Sequence, residues 1–161
     1  MTRLGNPLVY DLLTVAEELT RASGTGSQRK AALRRAVSTA YYAVFHALCY
    51  VCADSLVGWS KSEVMVPIYR SLDHGSAKTR LASAEAKALL EPQGLDVGAA
   101  FTFLEEKRHE ADYAAPSLTV SKAWARECLE RAQQTIAIIE TLDRTQRMKL
   151  AVLLIAKPRS R

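Results

Sequence analysis

Between about Gln28 and Asp54 the chain repeats an apolar residue at helical intervals. Leu33, Val37, Ala40, Val44, Leu48 and Val51 follow at spacings of 4, 3, 4, 4 and 3. Such spacing keeps one face of an α-helix turned toward a core along its whole length. A helix of about 27 residues is longer than most in globular proteins, and one that long serves as the central post of a bundle. Composition agrees with helix throughout. Ala and Leu are abundant, and both lose little side-chain freedom in a helix. A length of 161 residues suits one domain with a substantial core.

The remaining segments also read as helices. The first is expected from about Asn6 to Arg21, with Asn6 as N-cap, Pro7 at the first helical position, and Leu8, Leu12, Val15 and Leu19 as its stripe. Ser23-Gly-Thr-Gly-Ser27 then breaks the chain. A third helix opens with Ser60-Lys-Ser-Glu63, a capping-box pattern, and Pro67 should kink or shorten it. A fourth is expected from Ser76 to Leu90, stopped by Glu91-Pro-Gln-Gly94. A fifth runs from Asp96, its N-cap, to Tyr113. The sixth begins near Thr119 and either continues past Asp143 or bends there. The expected fold is an all-α bundle of five or six helices around one long central helix. One domain covers 1–143, followed by a basic extension over 144–161.

No run of consecutive apolar residues approaches the roughly 18–20 that a membrane span needs, and Met1 to Pro7 lacks a signal-peptide core. Three cysteines make an odd number, which argues against a disulfide framework and for a reducing cytoplasm. The net charge of +5 is unevenly spread. Six basic residues and no acids stand between Arg144 and Arg161, so the first 143 residues carry about −1. A basic tail of that kind attracts RNA or an acidic partner, or is simply solvated.

Three clusters could carry chemistry. On the long helix, Arg35, Thr39, Tyr42 and His46 fall within about 60° of one another and form a narrow polar stripe. It is either one wall of a site or the edge of a dimer interface. Arg108 and Asp112 stand one turn apart, so they could form an ion pair along the helix, with His109 and Tyr113 beside them. Arg70 and His74 flank Ser-Leu-Asp. An arginine to neutralise phosphate and a histidine to move a proton would suffice for RNA cleavage, but a histidine at a helix C-terminus also serves as a cap. Cys49 and Cys52, three apart, cannot complete a tetrahedral zinc site and read as core residues, as does Cys128. No cofactor or metal is expected.

The segment Arg34-Arg-Ala-Val-Ser-Thr-Ala-Tyr-Tyr-Ala-Val-Phe-His-Ala47, with Arg35 at the arginine position, resembles a helix of bacterial HEPN-domain proteins. Arg108-His-Glu-Ala-Asp-Tyr113 is similar to a second segment of that family, and Tyr69-Arg-Ser-Leu-Asp-His-Gly75 fits the turn between them. The resemblance covers roughly Ala31 to Ile139. It implies a helical bundle, commonly a homodimer, that binds RNA or a partner protein in prokaryotic toxin–antitoxin or defence systems. In many such systems the antitoxin is a nucleotidyltransferase. It also implies, as the alternative, a metal-independent ribonuclease whose arginine and histidine are separated by four to six residues. No arginine–histidine pair here has that gap: His109 adjoins Arg108, and only three residues separate Arg70 from His74. A structural or scaffolding dimer in which Arg108–Asp112 is a buried ion pair is the third reading.

Overall fold

A computed structural model describes residues 3–60, 62–91 and 97–157. Eight helices and no strand occur among them: α1 (Pro7–Thr20), α2 (Gly26–Val57), α3 (Ser62–Tyr69), α4 (His74–Leu81), α5 (Ala84–Leu90), α6 (Val97–Tyr113), α7 (Lys122–Thr141) and α8 (Arg144–Ile155). The bundle is built around α2, which touches α1, α3, α6, α7 and α8.

Local chemistry sets where α2 starts and stops. Thr25 caps it by accepting from the Gln28 N–H, and the Gln28 side chain bonds back to the Thr25 N–H. At the other end Gly58 takes a positive φ of 84°, open to glycine at no steric cost, and its N–H closes onto Ala53 and Asp54 carbonyls. The expected stripe from Val37 to Val51 is fully buried. By length and composition alone α2 could cross a membrane, but most of its apolar window is buried against its neighbours. A core helix of that length passes the same test.

Three expectations change, and one left open is decided. The stripe of α1 is displaced by one residue: Val9, Ala16 and Thr20 are buried, while Leu8 and Val15 are more than 40% exposed. Residues 9, 13, 16 and 20 have the same spacing as the expected set, so periodicity cannot choose between them. The expected fourth helix is two, because Ser83 caps α5 through the Ala86 N–H and its hydroxyl donates to the Arg80 carbonyl. Helix α7 starts at Lys122 rather than near Thr119, capped by Ser121. The chain bends after Thr141, and residues 144–155 form α8, capped by Asp143 and Gln146. Leu150, Ala151 and Leu154 bury its inner face, and Arg80 donates to the carbonyls of Leu153 and Leu154 at its end. Pro67 sits inside α3, which stops two residues later. The expected Asp96 cap, and Lys61 of the expected capping box, lie outside the described residues.

Candidate functional site

From Ala36 to Ala53 every residue of α2 is buried except Thr39, Tyr42 and His46. The polar stripe is therefore the one line along which the buried half of α2 approaches solvent, with exposed Arg35 at its head. Helices α3, α4 and α6 supply the groups that meet it.

Two chains of contacts cross there. In the first, the Leu8 N–H fixes Asn6 Oδ1 at 3.2 Å, so Asn6 Nδ2 is free to donate to Tyr69 Oη at 3.0 Å. Tyr69 then has its own proton to give His46 Nδ1, 2.6 Å away. The N-cap of α1 thus orients a tyrosine of α3, which holds a histidine of α2 as a neutral acceptor. Burial pushes the Tyr69 phenol up to about 12. Burial, then the neighbouring His74, lowers the His46 imidazole below its usual value.

In the second chain, His74 Nδ1 and Tyr41 Oη share a short hydrogen bond. The His74 ring stacks on Phe45 with centroids 4.0 Å apart and stands edge-on to Tyr42. The Arg108 guanidinium lies 5.1 Å from the Tyr41 ring centre, a cation–π contact. Desolvation, then the Arg108 charge, lowers His74, while burial raises the Tyr41 phenol. His74 is thus neutral near pH 7 and able to accept a proton.

Two expected arrangements are corrected. His74 begins α4 behind the N-cap Asp73, at the positive end of a helix rather than the negative one. Arg70 is exposed in the connection before it, so the two do not share a helical turn. The Arg108–Asp112 pair does not form either. A helical side chain leans toward the N-terminus, so Arg108 reaches back to Glu105 at 3.5 Å. Asp112 instead accepts from Ser38 Oγ at 3.2 Å and faces Arg35 at 3.5 Å, both on α2. Arg108 is only 8% exposed, and its Nε has no hydrogen-bond partner.

His109 and Tyr113 lie on the solvent side of α6, their rings 4.9 Å apart, and Tyr113 is 70% exposed. Arg34 fixes the helix end beneath them. Its guanidinium donates to the carbonyls of Ala111 at 2.6 Å, Ala114 at 2.5 Å and Ala115 at 3.4 Å. Sequence reasoning singled out Arg35 and passed over Arg34, Tyr41, Phe45, Tyr69 and Glu105. Tyr41 and Phe45 stand in the quoted motif, so it carried a signal for them. Nothing local links Tyr69 to Asn6.

Cys49, Cys52 and Cys128 are free and buried, and burial raises each thiol to about 12, which makes them inert core residues. No group of three metal-ligating side chains occurs among the described residues. Compared with known protein families, curated proteins and solved structures, the chain has no match.

Proposed function

We propose that this chain is a HEPN-like module that binds RNA, working in a prokaryotic toxin–antitoxin or defence system as a homodimer or beside a nucleotidyltransferase antitoxin. The observation that carries the reading is the division of labour on α6. Arg108 is turned into the core, and the next residue, His109, joins Tyr113 as an exposed aromatic pair. Exposed rings next to cationic side chains stack unpaired bases, the usual way single-stranded RNA is held. Arg35, two-thirds exposed above Asp112, supplies the adjacent charge. The order and spacing of the HEPN-like segments support the family.

The ribonuclease reading rests on a different observation. Arg108 and His74, far apart in sequence, both contact Tyr41, which brings an arginine and a neutral histidine together without the usual spacing. Burial of Arg108 under Glu105 and Tyr41 weighs against direct contact with a phosphate. Binding therefore ranks first.

Incubating the protein with labelled single-stranded RNA in a metal chelator tests both readings. Binding without cleavage is expected, and Tyr113→Ala should weaken it roughly tenfold, since one base stack contributes about 1–3 kcal/mol. Undiminished binding by that variant sinks the aromatic-platform reading. Cleavage by the wild type that His74→Gln abolishes would establish the ribonuclease instead.

A further inference from the structure

The first turns of α2 project from the bundle, and residues 26–31 are all exposed. There, the end of α1, the start of α2 and the approach to α7 enclose a groove of about 610 Å³. That lies within the ordinary range of ligand pockets, about 300–1,000 Å³. Arg21, Arg29, Lys30 and Lys122 line it, and no Asp or Glu does. Arg21 pairs with Glu17 at 2.7 Å. Arg29, Lys30 and Lys122 have no ion-pair partner among the described residues. In a body whose net charge is near −1, three unpaired cations beside the Arg21–Glu17 pair are a local concentration that the total conceals.

Two further features favour an anion. Helix α2 begins at this groove with Gly26, and α7 with Lys122. Their caps, Thr25 and Ser121, satisfy one first-turn amide each. The other first-turn amides have no acceptor in their own helix, and both dipoles present their positive ends. The lining holds hydroxyls, Ser23 and Ser121 among them, but no aromatic ring and no side-chain amide. A lining of cations and hydroxyls without a ring or an amide favours phosphate oxygen, the group that arginine and lysine contact most often, over a base.

We propose that this groove binds phosphates of an RNA strand irrespective of sequence, as a contact separate from the α6 platform. Arg29 lies about 9 Å along α2 from Arg35, the charge beside that platform, at 1.5 Å per residue, and about 120° around the helix from it. That the phosphate belongs to RNA rests on the binding function proposed above; the preference for phosphate rests on the groove.

The test compares wild type, Tyr113→Ala, and the triple variant Arg29→Gln/Lys30→Gln/Lys122→Gln, each titrated with labelled single-stranded RNA and with pyrophosphate at several salt concentrations. The three substituted side chains are exposed, so melting curves should match the wild type. The triple variant should lose about tenfold or more in RNA affinity, and its salt slope should fall by about 2, near 0.7 for each lost phosphate contact. Pyrophosphate binding should disappear with it. A triple variant that binds both ligands like the wild type overturns the groove. Affinity lost only in Tyr113→Ala overturns the groove and leaves the platform standing. Affinity lost only in the triple variant overturns the platform and supports the groove. Wild-type binding of pyrophosphate without RNA overturns the RNA assignment.

Discussion

The exposed first turns of α2 and its buried stretch obey different physics. Residues 26–35 are exposed or half-buried, and their charged side chains are solvated or lie along the groove. Residues 36–53 are buried apart from the three polar stripe positions, and every polar group there has to find a partner inside the fold. In the solvated part, an individual charge has little effect on stability and is free to meet a ligand. In the buried part, Tyr41 and the half-buried His46 are held by stacking and hydrogen bonds, and Arg108 of α6 packs on Tyr41, so removing one strands another. Position along one helix thus decides whether a polar residue serves recognition or integrity.

The largest effect should come from Arg108. Arg108→Ala removes the Glu105 partner and the Tyr41 contact together, and should cost about 3 kcal/mol by denaturant unfolding. Lys78, 3.3 Å from Glu105, keeps the loss from being larger. Arg108→Met, apolar and similar in volume, should recover most of it. A loss below about 1 kcal/mol in the alanine variant would erase the distinction between the two parts of α2.

The next effect is on pH dependence. His46 and His74 both hold protons less readily than free imidazole, chiefly because they are buried. Below about pH 6.5 the unfolded chain therefore takes up protons that the folded one does not, and stability falls as pH drops through that value toward the folded-state values. The melting temperature should decline between about pH 7.5 and 5.5, a window above carboxylate titration. The His46→Gln/His74→Gln variant should show a flatter profile. Equal slopes in the two proteins would remove the histidines from the account.

The smallest effect belongs at the head of the stripe. Arg35→Ala breaks a contact of 3.5 Å whose arginine side chain is 66% exposed, and should change stability by less than about 0.5 kcal/mol. A loss as large as that of Arg108→Ala would mean that the exposed part of α2 is as interlocked as the buried part.

What the sequence revealed follows the same division. The all-helical bundle and its long post were legible, because a stripe from Val37 to Val51 leaves few alternatives. The stripe of α1 was not, since Leu8 and Val9 begin series of identical spacing and only packing against α2 and α7 selects between them. The candidate residues Tyr42, His46, Arg108 and Asp112 were legible as polar groups on helices. Their partners were not, because Ser38–Asp112, Tyr41–His74 and Asn6–Tyr69 are joined by the folding of the chain and not by spacing. The basic groove was hidden for a related reason: net charge sums over the surface, whereas a ligand meets only the charges gathered at one place.

Arg34 has a kinetic consequence. By tying down the last carbonyls of α6, it gives His109 and Tyr113 a fixed footing before any ligand arrives. The freedom of that helix end is lost at folding rather than at docking. If this pair holds RNA as proposed, encounter needs no rearrangement of the helix end, and affinity differences among ligands should lie mainly in how fast they leave.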